Sequence, residues 1–193
     1  YLRGLRELCD EKGILLIFDE IQCGIGRTGS LFAYEKYGVE PDIITLAKAL
    51  GGGVPIGAFM ATDKVASAFE PGDHGSTFGG NHLATRAAYT TLKTLLEEDI
   101  LDHVNQISDY FIDKLNQLVD DIPEVKGVRG KGLMLALQLD DSVSAKEVVN
   151  SLFEKGFLLN AVQEHALRFL PPLIIEEEEI DSLIKAMEEV LVG

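Results

Sequence analysis

Cysteine is scarce in this 193-residue chain, which has only Cys9 and Cys23. Two thiols give no disulfide framework and no CxxC pair for a metal or a redox dithiol. Cys23 has no histidine near it in sequence, so it reads as a packing residue rather than a nucleophile. A reducing, cytoplasmic compartment is the expectation. Proline is also scarce, with six residues, and hydrophobic residues make up 46% of the chain. That balance describes a soluble globular protein rather than a disordered one. No apolar run approaches the ~20 residues needed to cross a bilayer. Basic residues number 17 against 32 acidic ones, for a net charge of −15. Long-range repulsion therefore opposes nucleic acid and anionic membrane, and neither is expected as a partner.

The chain has no internal repeat. Its opening residues, Tyr1-Leu2-Arg3-Gly4-Leu5-Arg6, resemble neither a signal peptide nor a transit peptide. Leu2, Leu5 and Leu8/Cys9 fall on one stripe, as in the middle of a helix. With no initiator methionine, the chain is expected to come from a longer protein.

Short apolar segments alternate with glycine-rich loops over the first eighty residues. The run 14–18 ends in Asp19 and predicts a central parallel strand covered on both faces. Further strands are expected at 42–46 and 57–61, with short helices over 31–37 and from Thr62, as cap, to Phe69. From about Leu83 the spacing becomes helical, over 83–96 and 101–119. Leu133, Leu135, Leu137 and Leu139 alternate as a half-buried strand does. Ser144-Ala145-Lys146-Glu147 has capping-box form before a helix stopped by Gly156. Strands at 157–160 and 167–170 precede a last helix bearing Ile180, Leu183, Ile184, Met187, Val190 and Leu191. The glutamates 176–179 fan around the start of that helix, so they suit its dipole and not a metal ion. The pattern predicts part of an α/β domain over 1–80 and a smaller α+β domain over 81–193, which includes the connecting helix.

Lys48 stands out, because no other charge lies between Asp42 and Asp63. Desolvation disfavours an ammonium, so a lysine in this apolar setting can become the neutral amine that condenses with a carbonyl. The competing reading is that Lys48 snorkels to water. Asp19 and Lys48 each follow a predicted strand, and ligands collect at the carboxyl ends of parallel strands. A carboxylate with an imine-forming lysine is what pyridoxal 5′-phosphate requires. The lysine binds its aldehyde, and the carboxylate keeps its ring nitrogen protonated.

Four segments carry a resemblance. Leu16-Ile17-Phe18-Asp19-Glu20-Ile21-Gln22-Cys23-Gly24-Ile25-Gly26-Arg27-Thr28-Gly29 looks like the signature of class III pyridoxal-phosphate aminotransferases. The stretch from Pro41 to Gly53 resembles their lysine segment. Gly75-Ser76-Thr77-Phe78-Gly79-Gly80-Asn81 resembles their threonine loop, and Leu167-Arg168-Phe169-Leu170-Pro171-Pro172-Leu173 their carboxylate-binding arginine segment. The resemblance implies a fold type I transferase, represented by the C-terminal part of its large domain and its small domain.

It also implies roles. Asp19 would pair with the ring nitrogen, and Gln22 would hydrogen-bond the phenolic oxygen. Lys48 would be both the Schiff-base residue and the proton-transfer base. Thr77 would bind the cofactor phosphate across a homodimer interface. Arg168 would clamp a substrate carboxylate, with Ser76 also at the substrate. Each position has a plainer reading as well. Gln22 could cap a turn, Thr77 could make a local loop bond, and Arg168 could pair with a buried acid. Arg27 reads as ordering its loop, and His74 and His82 as isolated histidines.

Leu159-Asn160-Ala161 and the Arg168 segment look most like family members that move the δ-amino group of N-acetylornithine to 2-oxoglutarate in arginine biosynthesis. Members acting on ornithine, succinylornithine or 4-aminobutyrate share most of the motifs. Family chains are about twice this length. The resemblance therefore implies that an N-terminal half of the same protein supplies the rest of the site, and that this chain alone is inactive. A noncatalytic truncated fragment is the alternative reading.

Overall fold

Gly13 ends the first helix, Leu2–Lys12 (α1), in the left-handed conformation (φ 64°) that glycine adopts without a Cβ penalty. The structure, a computed structural model, describes residues 1–192. Arg6 on α1 reaches Asp42, with Nη1 2.8 Å from Oδ2. The backbone N–H of Leu16 donates to the same oxygen at 2.7 Å. One carboxylate thus ties α1 to the segments that enter two strands. It is held below the usual carboxylate range by the Leu16 bond first and by Arg6 second. Beneath this knot, Cys9, Leu16 and Val39 form a small core flanked by Leu2 and Phe18.

The strands are Ile17–Asp19 (β1), Ile43–Leu46 (β2) and Ala58–Ala61 (β3), in the order β1-β2-β3. β1 and β2 are parallel, with Ile17 opposite Ile43 and Asp19 opposite Thr45. β3 is antiparallel to β2. The central, doubly covered strand expected over 14–18 is instead a three-residue edge strand. Ile14, Leu15 and Ile17 are 55%, 50% and 54% exposed. β1 has a neighbour on one side only among the described residues, and the Ile17 side chain is about half covered.

The predicted helix over 31–37 is a 3-10 turn, Ala33–Tyr37. Thr62 precedes a short helix, Asp63–Ala66 (α2), and its side chain makes no cap bond. The helix stops before Phe69. Asn81 does cap His82–Glu97 (α3), its side chain accepting the Ala84 N–H at 3.0 Å.

The second half is built on Ile100–Asp121 (α4), which buries Val104, Ile107, Phe111, Leu115 and Leu118 along one face. Its sheet is antiparallel throughout, in the order β4-β5-β7-β6. The strands are Val125–Lys131 (β4), Met134–Leu139 (β5), Asn160–Ala161 (β6) and Ala166–Phe169 (β7). β4 was not foreseen, because Lys126, Gly127, Arg129, Gly130 and Lys131 hide any alternation. Gly130 (φ 134°) is required there, since a Cβ would strike the carbonyl oxygen of Met134.

Phe111 meets Phe169 edge-on at 5.3 Å, packing α4 against β7. Ser144 caps Ala145–Glu154 (α5) by accepting the Glu147 N–H at 3.4 Å. Glu177–Val192 (α6) buries Ile180, Leu183, Ile184 and Met187. Asp181 on α6 accepts from Tyr110 at 2.7 Å and pairs with Lys114 at 2.8 Å, both on α4.

The chain divides into two units, Tyr1–Leu101 and the remainder from Asp102. The sequence pattern set the division at 80/81. α3 goes with the first unit because it packs on the 3-10 turn Lys48–Gly51. Among the described residues, no helix is long and apolar enough to cross a membrane.

Candidate active site

Successive side chains of an extended chain point to opposite faces, so Asp19 and Glu20 diverge at the end of β1. Asp19 is exposed. Its Oδ1 accepts the Ile21 N–H at 2.9 Å, which folds the chain back into a turn. Glu20 is only 3% exposed. Its two oxygens accept the backbone N–H groups of Ala33 and Tyr34, each at 3.0 Å. These are orphan donors at the start of the 3-10 turn. The sequence reading passed over Glu20. Its signal was present as a second carboxylate one residue after Asp19, on the inward face.

Cys23 Sγ lies 3.2 Å from Glu20 Oε2. Burial, reinforced by the Glu20 bond, pushes its thiol up to about 12. A thiol so disfavoured as thiolate is not a nucleophile. The loop that follows is tightly wound. Gly24 has no room for a Cβ beside the Glu20 carbonyl, and Ile25 takes a left-handed backbone (φ 56°) while 2% exposed. Gln22 is exposed in this turn, and Arg27 is half-buried.

Lys48 begins the 3-10 turn Lys48–Gly51, directly after β2. It therefore lies at the same sheet end as Asp19, on the neighbouring parallel strand. The expectation of a desolvated lysine is not met in this chain. Lys48 is exposed, because the apolar residues around it, Leu46 and Leu50, turn inward without covering it. It also adopts a left-handed backbone, φ 46°.

Ser76 and Thr77 lie together in the exposed turn between α2 and α3. The turn is closed by Gly79 N–H to the Ser76 carbonyl at 3.2 Å. An aromatic chain anchors the approach to it. Phe59 of β3 meets Phe69 at 5.9 Å, and Phe69 meets His74 at 5.4 Å. His74 thus serves as a packing ring. Among the described residues, no group of histidine, cysteine and acidic side chains could hold a metal ion.

Arg168 belongs to the second unit. It is half-buried on β7, opposite Ala136 of β5 and Asn160 of β6. It lines a cleft of about 730 Å³ with Phe111, Leu159, Leu170, Pro171 and Pro172 among its walls. Glu178, Glu179 and Ser182 line it as well, so among the described residues Arg168 is the one cation of a largely apolar cleft that also carries two carboxylates. A planar guanidinium there can take a carboxylate in two-pronged fashion. Asp19 and Lys48 thus share one sheet end, Ser76 and Thr77 share one loop, and Arg168 has its own cleft.

The Aminotransferase class-III family model matches residues 1–191. The acetylornithine aminotransferase of Methanocaldococcus jannaschii is 53% identical over 98% of this chain and 47% of that protein. The succinylornithine transaminase of Photorhabdus laumondii is 46% identical over 99% of this chain and 48% of that protein. Among solved structures, acetylornithine aminotransferase from Elizabethkingia anophelis superposes with a TM-score of 0.91. It is 35% identical, over 99% of this chain and 51% of that one. Ornithine aminotransferase from Toxoplasma gondii gives a TM-score of 0.92 at 39% identity, over 100% of this chain and 46% of that one. The chain spans about half the length of the curated relatives it matches. Its mixed α/β fold is that of about half of an aminotransferase chain. With the family model matched over nearly its whole length, the chain belongs to the class-III aminotransferases, a family whose cofactor is pyridoxal 5′-phosphate.

Proposed function

We propose that this chain contributes the cofactor lysine to an enzyme that transfers the δ-amino group of N-acetylornithine to 2-oxoglutarate, a cytoplasmic step of arginine biosynthesis. The observation that carries this reading is the placement of Asp19 and Lys48 at one end of the parallel pair β1–β2. Adjacent strands lie ~4.8 Å apart, so both side chains can reach one aromatic ring.

The residues fit pyridoxal 5′-phosphate. The Ile21 bond uses Asp19 Oδ1, so the other oxygen is available to a protonated ring nitrogen. Lys48 is an exposed amine. When bound, the cofactor supplies an aldehyde that condenses with amines and a protonated ring that accepts electron density. Asp19 would hold the proton on the ring nitrogen, and Gln22 would donate to the phenolic oxygen. Lys48 Nζ would hold the cofactor through its aldehyde and, once the substrate amine has displaced it and freed it as an amine, would carry the proton at the carbon that bears the substrate amine. Thr77 would give its hydroxyl to the phosphate held by a second copy of the protein, and Ser76 would contact the substrate beside it. Arg168 binds the α-carboxylate through its planar, bidentate guanidinium.

Likeness to acetylornithine aminotransferases favours acetylornithine as donor. Succinylornithine and ornithine are the rivals, supported by likeness to a succinylornithine transaminase and to ornithine aminotransferases. The test is glutamate release from 2-oxoglutarate by the native holoenzyme, donor by donor. The highest kcat/KM is expected with N-acetylornithine. A higher value with ornithine, succinylornithine or 4-aminobutyrate would reassign the substrate, and no glutamate with any donor would overturn transamination.

The 193-residue polypeptide alone is expected to be inactive. Asp19, Gln22, Lys48, Ser76 and Thr77 are all exposed, and a site open to water loses much of its electrostatic leverage. Robust turnover by that polypeptide would refute this.

A further inference from the structure

Lys48 has a left-handed backbone, φ 46°, a conformation that side chains with a Cβ seldom adopt. Such a backbone persists where its surroundings fix it. Here the fixing elements are visible. The Ala47 carbonyl accepts the Leu50 N–H at 3.0 Å, and the Ala49 carbonyl accepts the Gly52 N–H at 3.1 Å. Leu50 is 4% exposed and anchors the turn from beneath.

The three glycines after it are not equivalent. A Cβ on Gly53 would meet nothing within 4 Å. A Cβ on Gly51 would lie 2.9 Å from Ile56 Cγ2, and one on Gly52 would lie 2.8 Å from Thr91 Oγ1. Thr91 sits on α3. Ala84, Ala88 and Thr91 are spaced four and three residues apart, so they share one helix face. Ala84 and Ala88 are buried. Small residues along that face bring α3 down onto the turn, and Thr91 Oγ1 occupies the space that a Cβ on Gly52 would need.

We infer that Thr91 of α3, seated against Gly52, is a positioning residue for Lys48. The inference rests on the reading of Lys48 as the cofactor lysine. The lysine side chain is long and flexible, so the direction of its Cα–Cβ bond decides where its amine starts. That direction follows the turn, and the turn follows its contact with α3. A bulkier residue at 91, or a Cβ at 52, tilts the turn and misaims Nζ without touching cofactor or substrate. An error of about an ångström of this kind can lower a rate by orders of magnitude.

The test uses the native holoenzyme and the pH titration of its lysine-bound cofactor absorbance. Thr91→Leu and Thr91→Ile both add bulk against Gly52 while leaving its left-handed backbone (φ 55°) without a Cβ. Each is expected to shift the titration midpoint by about half a unit or more. Each should also lower kcat about tenfold or more, with KM nearly unchanged. Thr91→Ser, which keeps the hydroxyl and adds no bulk, should retain the wild-type midpoint. If one bulky variant fails to fold, the other decides. Folded variants with a wild-type midpoint and wild-type kcat would overturn the inference. A Lys48→Ala control separates the two readings. If it keeps the lysine-bound absorbance, the assignment of Lys48 itself fails. If it loses that absorbance while the bulky variants behave as wild type, only the role of Thr91 fails.

Discussion

Asp19 and Thr45 stand opposite each other in the parallel register of β1 and β2, and Lys48 follows Thr45 by three residues. This register brings an acid and an amine distant in sequence to one sheet end. It also separates the role of Asp19 from that of Glu20, which faces inward and is spent on backbone donors.

Asp19→Asn should separate chemistry from folding. An asparagine oxygen still accepts the Ile21 N–H, so the melting temperature should stay close to wild type. The amide lacks the charge that keeps the ring nitrogen protonated. The expected kcat is ~100-fold lower or worse. Steady-state kinetics and thermal melting, run on the same preparation of native holoenzyme, check both halves.

Arg168→Lys should weaken carboxylate recognition despite conserving charge, because an ammonium does not reproduce the two-pronged guanidinium. Losing one charged hydrogen bond corresponds to ~1.5–3 kcal/mol, or roughly 10- to 150-fold in kcat/KM. The loss should appear with both amino donor and 2-oxoglutarate. A variant that loses activity with the donor alone would place the acceptor elsewhere.

Glu20→Ala should destabilise the protein rather than alter its chemistry. Two backbone donors, Ala33 and Tyr34, lose their acceptor at a buried site. At ~1–3 kcal/mol per orphaned donor, the expected loss is about 2–6 kcal/mol in urea unfolding.

Cys23 should resist alkylation near pH 8 in the folded protein and react readily in urea. Its thiol is pushed up to about 12 by burial and by Glu20, against ~8.5 for a free cysteine. The sign for stability follows from linkage. A group with a raised folded value favours its protonated form, so its contribution is complete below about pH 8.5 and declines as pH rises toward the folded value. Stability measured from pH 7 to 10 should therefore fall at the alkaline end, and Cys23→Ala should lessen that fall.

Long helices and the β5 strand were legible in the sequence because their burial follows a simple period. Val104, Phe111, Leu115 and Leu118 repeat at helical spacing on α4, and Leu135, Leu137 and Leu139 alternate on β5. β4 was hidden because its cross-strand bonds are made by backbone, while its side chains are mostly glycine, lysine and arginine. β1 is the edge of its sheet among the described residues, and Ile17 is half exposed there; its apolar run predicts cover on both faces, in a chain that spans about half the length of its relatives. Lys48 is the corresponding case at the site. Its identity and its strand-end position were readable from local motifs. Its exposure and left-handed backbone depend on what surrounds it in space, as do the inward turn of Glu20 and the seat of Gly52 on Thr91.

The most direct measurement is borohydride reduction of the cofactor-loaded native protein, followed by proteolysis and peptide mass mapping. The account predicts the pyridoxyl group on Lys48, within the peptide that spans Asp42 to Gly53. A pyridoxyl label on any other lysine would contradict it.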